Sequence, residues 1–507
     1  MPGESPTKWQ AQAYRFGVRR LESAVASGDP LLRGDPVRRR LNIALIVSFV
    51  LAALILGGFA VYGFIRPAPT IGGAQVVIDS DTGGAFVSRN GTLYPAMNYA
   101  SALLAASRST SSNGGGKAPS VASVGDDAIR TEPRGPLLGI PGAPNVLPPS
   151  SSLVASSVVP AQWTVCEDTG VNTALPPGSK PTLRTTAILG KRRPVLGRLD
   201  GSTAMLVSAD GGRTAYLLWT GGRSRISLTN NTVRLAFGLS ANEQPRPISA
   251  AMLNVIPQNK DIAPPVVPGV GSTPDYASLL GVHVGDVFGL ERSDRSTSIF
   301  VALQDGVQPV TPLVGDLIRD QFNQDKQLPL VSPKVLRDAP RANHIDLSRY
   351  PTVRPSIIDY TAHRGICVFR SGIGLNTTRI FAVDRDPLPA GAKPVTVTRP
   401  GALVADQVYV QPGMGAVLTA ATPKQKGGLH GLFVITDDGV SYPVVSGAAL
   451  VALGYTARDI APTAPELLSL LPSGPALDPT QAVHFYPQTG TAAKSLPTAT
   501  SGASPAG

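Results

Sequence analysis

LNIALIVSFVLAALILGGFAVYGFI, residues 41–65, is an unbroken run without one charged side chain, and the rest of the chain is divided by it. At about 1.5 Å rise per residue it reaches roughly 37 Å, enough to cross a hydrocarbon core of about 30 Å with some tilt. A cleaved signal peptide would carry a shorter apolar region followed by a small-residue cleavage site. Here Arg66-Pro67 follows, so the stretch reads as an uncleaved transmembrane anchor. Lys8, Arg15, Arg19, Arg20, Arg33, Arg38, Arg39 and Arg40 precede it, whereas positions 66–90 hold only Arg66 and Arg89. The positive-inside rule then makes the N-terminus cytoplasmic and puts residues beyond 65 on the far side of the plasma (inner) membrane. No second apolar run approaches membrane-spanning length, so a single-pass protein with a large extracytoplasmic, periplasmic portion is expected.

That portion holds both cysteines, Cys166 and Cys367. In an oxidising compartment an even count without CxxC spacing suggests one structural disulfide, with two unrelated buried thiols as the alternative. Bridging them would close a loop of about 200 residues and contribute on the order of 5 kcal/mol by chain entropy. The net charge of +11 comes from cations scattered through Gly- and Pro-rich loops. A nucleic-acid interface would gather them in a stripe, so no nucleic-acid partner is expected. Anionic lipid or an acidic partner is the better use of the Arg cluster beside the membrane.

Ahead of the anchor, Thr7 can cap a helix whose apolar residues Tyr14, Val18, Leu21 and Val25 fall at i, i+4, i+7 and i+11. Lys8, Arg15 and Arg19 border this stripe, and a helix so short is marginal alone, so a partner or lipid is expected to cover it. Gly28-Asp29-Pro30 and Asp35-Pro36 then break the helix. Within the anchor, Gly57-Gly58 and Gly63 would let a neighbouring helix approach closely.

Beyond the anchor the chain repeats itself. Four stretches, from Ala85, Ala215, Ser298 and Gly431, show an apolar strand, a glycine turn, a second short strand and a helical segment. The turns read Asn90-Gly91, Gly221-Gly222, Asp305-Gly306 and Asp438-Gly439, dipeptides suited to tight hairpins. A second helical piece ending at proline follows each: DDAIRTEP, AAMLNVIP, PKVLRDAP and PELLSLLP. The four prolines, Pro133, Pro257, Pro340 and Pro472, stand at nearly one separation from their turn glycines, the first lengthened by a Ser/Gly-rich stretch, 107–125, that reads as a flexible loop. A lone module of this size cannot bury enough apolar surface, so the copies must pack on one another or on a further domain. The segments 163–196 and 350–397, each with one cysteine, supply it. The expected α+β organisation is an arm (1–40), anchor (41–65), repeat 1 (66–145), first central segment (146–200), repeat 2 (201–270), repeat 3 (271–349), second central segment (350–400), repeat 4 (401–487) and a disordered Ala/Thr/Ser/Gly/Pro tail (488–507).

Catalytic patterns are missing from the sequence: there is no HExxH, GxSxG or paired CxxC, and the five histidines are dispersed. Asn113-Gly114-Gly115-Gly116-Lys117 is followed by Ala118, where a P-loop requires Ser or Thr. Asp346 with His344, or Asp437-Asp438, are conceivable catalytic pairs, but turn capping is their ordinary use. No catalytic residue, metal or cofactor is expected.

Thr7-Lys8-Trp9-Gln10, Tyr14-Arg15-Phe16, Arg19-Arg20-Leu21-Glu22 and Asp35-Pro36 before one anchor resemble the N-terminus of the EccB family of ESX (type VII) secretion systems. Leu93-Tyr94-Pro95-Ala96-Met97-Asn98, Arg134 to Pro144, Trp163-Thr164-Val165-Cys166, Gly222 to Ile226 and Ala405-Asp406-Gln407-Val408-Tyr409 extend the likeness over residues 7–475. The chain departs from the family pattern at Cys367-Val368-Phe369-Arg370 and at Asp478 to Ala482. The resemblance implies an elongated array of four repeats around a central β-domain with one disulfide. It also implies homo-oligomeric membership of a membrane complex with EccC-type ATPase, EccD and EccE subunits that exports small helical WxG-type proteins. A structural scaffold is the expected role; a membrane-anchored ATPase or hydrolase, or a cell-wall-binding module, is the alternative.

Overall fold

The computed structural model describes residues 7–28, 36–65, 70–108, 117–170, 182–190, 194, 197–324, 327–359, 363–373, 377–384, 387–398, 401–422 and 430–486. Two units are present, Met1–Thr70 and Ile71–Gly507.

The first unit is two helices. α1 spans Lys8–Ser27, with Thr7 extended at its N-cap and Gly28 left-handed (φ 65°) at its C-cap. The Gln10 side-chain oxygen accepts from the Thr7 amide at 2.9 Å, satisfying one of the helix's orphan donors. α2 spans Pro36–Ile65 and opens on proline, whose missing N–H costs nothing there. Its segment Arg40–Phe59 is long and apolar enough to cross a membrane.

In the second unit, β1 (Val76–Asp79), β2 (Ala85–Arg89), β3 (Thr92–Pro95) and β4 (Val121–Val124) make sheet I, ordered β3-β2-β1-β4, with α3 (Tyr99–Ser107) and α4 (Asp126–Arg130). After β5 (Leu137–Leu138), strands β6 (Gln162–Gly170) and β7 (Thr182–Leu189) begin a central sheet. Sheet II comprises β8 (Thr203–Ser208), β9 (Ala215–Trp219), β10 (Gly222–Ile226) and β11 (Arg246–Pro247), ordered β10-β9-β8-β11, with α5 (Asn231–Phe237) and α6 (Ala250–Val255). α7 (Ala277–Leu280) precedes sheet III, β12 (Val287–Glu291), β13 (Thr297–Leu303) and β14 (Gly306–Val310), which carries α8 (Pro312–Gln321) and α9 (Pro333–Asp338). β15 (Ser356–Ile357) adds to β8; β16 (Gly365–Ser371), β17 (Thr378–Val383), β18 (Val395–Thr396) and β19 (Gln407–Val410) complete the central sheet as β17-β16-β6-β7-β19-β18. Sheet IV, β20 (Ala416–Ala420), β21 (His430–Ile435), β22 (Ser441–Val444) and β23 (Ile460–Thr463), is ordered β22-β21-β20-β23 and carries α10 (Gly447–Ala452) and α11 (Pro465–Leu468). Finally α12 (Pro479–Ala482) leads into β24 (Phe485–Tyr486), which pairs with β5.

One device recurs in the four small sheets. The carbonyls of Pro133, Pro257, Pro340 and Pro472 accept from the amides of Leu93, Arg223, Val307 and Ser441 at 2.8, 2.8, 2.8 and 2.9 Å, so the segment after each proline runs alongside the second hairpin strand. This changes the reading of two glycines. The tight turns fall at Thr220-Gly221 (φ 42° and 83°) and Gln304-Asp305, not at Gly221-Gly222 and Asp305-Gly306. Gly222 and Gly306 instead begin strands; a Cβ on Gly306 would lie 2.8 Å from the Pro340 oxygen, so the returning chain demands the absence of a side chain.

Two boundaries read from spacing also move. Gln407–Val410, assigned to 401–487, is hydrogen-bonded parallel to β7 in the central sheet, because Val408 and Val410 alternate into its core. Within 107–125, Val121–Val124 is a strand parallel to β1 rather than loop, since Val124 buries beside Val77. Residues 109–116 and the tail 488–507 lie outside the described residues.

The sheets pack in nested pairs. Sheets I and IV share a core that includes Val76, Leu104, Val434 and Leu450, while sheets II and III share Leu206, Phe237, Val301 and Leu317. The largest core joins the central sheet (Trp163, Val165, Val368) to sheet II (Met205, Met252) and sheet IV (Leu418, Leu467). Cys166 on β6 and Cys367 on β16 stand directly opposite each other, fully buried, and form the disulfide across 201 residues of sequence. Converting both to serine is expected to lower stability by about 2–5 kcal/mol, read from the urea unfolding midpoint of oxidised protein; an unchanged midpoint would refute a stabilising bridge.

A second stability prediction concerns the β9–β10 hairpin tip. A Cβ on Gly221 would sit 2.3 Å from the Thr378 carbonyl oxygen of β17, in addition to the strain of φ 83°. Gly221→Ala should therefore cost about 1–3 kcal/mol. Gly211→Ala (φ 74°, open space) is the control for strain alone and should cost less.

Candidate functional site

Two sets of residues stand out: side chains clamped where sheets meet, and side chains left bare on α1. Between β6 and sheet II, Glu167 and Arg246 are both buried, with Arg246 Nη1 donating to Glu167 Oε1 at 3.2 Å. Arg246 Nη2 also donates to the carbonyls of Glu167 and Arg364, at 3.2 and 3.1 Å. Glu167 Oε2 in turn accepts from the Ser249 amide at the start of α6 (2.9 Å) and from the Thr185 hydroxyl of β7 (3.3 Å). An ion pair fully out of water is tolerable only with several such partners on both carboxylate oxygens and both terminal guanidinium nitrogens. On the other side, Arg370 of β16 donates to Glu466 of α11 at 2.9 Å and to the Val255 carbonyl at 3.3 Å, and Trp163 Nε1 donates to Thr463 of β23 at 3.0 Å. No sequence pattern connects Glu167 to Arg246, 79 positions apart; the adjacent acids Glu167-Asp168 inside a strand are the only available signal, and they do not say which of the two is buried.

On α1 the stripe read from the sequence is bare: Tyr14, Val18, Leu21 and Val25 are 75, 36, 67 and 80% exposed. Sequence spacing missed a second pair. Trp9 and Phe16, one heptad apart, are equally bare on the other side of the helix. In α2, Gly57 and Gly58 have nothing within 4 Å of a Cβ position, so that face is open to a neighbouring helix.

The imagined catalytic pairs separate. His344 Nε2 lies 2.9 Å from Asp305, whose carboxyl this contact lowers, whereas Asp346 bonds Lys260 and Ser348, which hold it well below the usual carboxylate range. Asp437 accepts from the Gly413 amide and Asp438 from the Val440 amide, which is turn capping. Tyr276, its phenol bonded to the Leu303 and Gly306 carbonyls, is pushed up to about 12 by burial and serves as a strut. Among the described residues no three His, Cys, Asp or Glu side chains are placed to hold a metal ion. Three open clefts, of about 360, 450 and 520 Å³, have no histidine, cysteine or lysine in their linings.

An apolar helix of membrane-crossing length, a disulfide-bridged α+β body knit by buried pairs, and bare helix faces fit a subunit of a membrane assembly. The chain belongs to the EccB family: the family model described as type VII secretion system ESX-1, transport TM domain B, matches residues 4–486. It is 30% identical over 493 residues to the ESX-5 secretion system ATPase EccB5 of Mycobacterium tuberculosis, covering 94% of this chain and 93% of that protein. With the ESX-3 secretion system ATPase EccB3 of Mycolicibacterium smegmatis it shares 28% identity, over 93% of this chain and 89% of that one. Among solved structures, a chain of the intact ESX-5 inner membrane complex matches with TM-score 0.67 at 27% identity, covering 98% of this chain and 99% of that chain. A chain of the EccB3 dimer from the ESX-3 core complex matches with TM-score 0.66 at 27% identity, over 81% of this chain and all of that one.

Proposed function

We propose that this protein is a structural core subunit of a type VII (ESX) secretion membrane complex, with α2 crossing the inner membrane, the N-terminus cytoplasmic and the second unit periplasmic. The observation that carries the reading is the likeness along 98% of the chain to a subunit of an inner membrane complex. The bare faces of α1 and α2 add to it, since they call for neighbours and not for substrate. EccC-type ATPase, EccD and EccE subunits and further copies of this chain are the proposed partners, around export of small helical WxG-type proteins. The four small sheets are proposed to be copies of one module around the central sheet. Their shared proline-carbonyl bonds support this, as do the N-caps of α3 and α10, Asn98 at φ −160°, ψ 164° and Ser446 at φ −158°, ψ 162°.

Affinity capture of the tagged protein without added nucleotide is expected to bring down an EccC-type ATPase; its absence would sink the scaffold reading. Topology is tested separately: alkaline phosphatase fused after Gly507 should be active, and activity of a cytoplasmic reporter there instead would reverse it.

The ATPase reading draws on the names its relatives carry. Lys117, exposed and followed by Ala118, is the residue a P-loop would need. Lys117→Ala is expected to leave any ATP turnover of purified protein unchanged; turnover that vanishes with this change would restore catalysis.

A further inference from the structure

We infer that α1 lies on an anionic lipid surface through the face that carries Trp9, Phe16 and its arginines, leaving the Tyr14–Val25 stripe turned away from lipid. At 3.6 residues per turn, Tyr14, Val18, Leu21 and Val25 span about 60°, while Lys8, Arg15, Arg19, Phe16, Trp9 and Arg20 fill the opposite side over about 140°. Every cation of the helix thus lies on one side together with Trp9 and Phe16, two of its three aromatic residues, and its one acid, Glu22, stands at the border. Trp9 and Phe16 are 81 and 69% exposed, so nothing among the described residues covers them.

The occupant follows from reach and charge. Eight residues, 28–35, join Ser27 to Pro36 of α2, at most about 30 Å of chain, so α1 cannot leave the vicinity of the bilayer that α2 enters. Arginines there meet anionic headgroups, and indole and phenyl rings partition to the interface between headgroup and acyl chain. The opposite stripe contains Tyr14, which also suits the interface, but its other members are two valines and a leucine and it has no cation, so it packs better against another helix than on an anionic surface. The inference goes beyond the secretion role and requires only that α2 be in a bilayer.

The test uses the full chain in liposomes, with flotation reporting insertion of α2 independently. Trp163 and Trp219 are 0 and 8% exposed, so subtracting the Trp9→Phe spectrum isolates Trp9 emission. Brominated phosphatidylglycerol is expected to remove more than about half of that emission, brominated phosphatidylcholine vesicles much less, and about 0.5 M salt to reverse the effect. Changing Arg15, Arg19 and Arg20 to Gln should abolish the difference between the two lipids. Val18→Trp in the Trp9→Phe background should escape quenching. Quenching of the indole introduced by Val18→Trp, with Trp9 spared, would put the other face on lipid, and a Trp9 reached by aqueous iodide in every vesicle would leave this face to a protein; either result overturns the inference, as does quenching indifferent to headgroup charge.

Discussion

Val18→Asp with Leu21→Asp is expected to release the protein from its membrane complex while leaving the second unit folded. Both residues lie in the centre of the bare stripe of α1, and Val18, at 36% exposed, is the most shielded of its four members. Sealing an apolar contact over two carboxylates costs at least about 1–3 kcal/mol each. Since about 1.4 kcal/mol is tenfold in affinity, the pair should weaken attachment on the order of thirtyfold or more. α1 belongs to the first unit, so the disulfide-bridged body should keep its protease resistance. The measurement is native-gel mass of the extracted complex together with limited proteolysis. A double variant that still co-migrates with the assembly and supports secretion would show that the arm is not an attachment point.

The other large effect is expected at the buried ion pair. Arg246→Ala removes the cation bonded to Glu167 and strands a carboxylate that is 0% exposed, a change that typically costs about 3–5 kcal/mol. It also removes the donors to the Glu167 and Arg364 carbonyls, which lie where sheet II meets β6 and β16. Arg246→Met combined with Glu167→Leu should be far milder, because no charge is then left buried and the volumes are nearly kept. Urea denaturation of the three proteins decides the matter. If the single variant is no less stable than the double, the pair does not act as a joint and the apolar core that includes Met205, Met252 and Ile256 holds sheet II in place.

Much of this fold could be read from the chain because its signals are local. The apolar run at Leu41 and the prolines that end each small helix need only neighbours in sequence, and α2, α4, α6, α9 and α11 lie where those signals put them. What escaped was decided by distant partners. β4 lies behind a Ser/Gly-rich stretch and is a strand only because β1 offers it an edge. β19 has the look of a fourth-unit strand until β7 claims it. Gly306 reads as a turn residue, yet its bareness answers to Pro340, far along the chain. At the candidate site, the stripe on α1 followed from helical spacing. Trp9 and Phe16 did not, because two rings seven residues apart mark a face only once the whole segment is helical and the arginines beside them share that face.

The nesting of sheet I on sheet IV sets a timetable for the newborn chain. α3 and α10, which share one core, are separated by roughly 340 residues, and at about 5–20 residues per second synthesis leaves the first waiting on the order of half a minute for the second. Through that interval Leu103, Leu104 and Val76 have no lid, and the clasp of β24 on β5 comes last of all, since it needs Phe485 and Tyr486. A truncated or stalled chain is therefore left with its earliest sheet sticky and open, whereas sheets II and III, neighbours in sequence, can close on each other as soon as they emerge. Chaperone dependence should accordingly be concentrated at the beginning of the second unit.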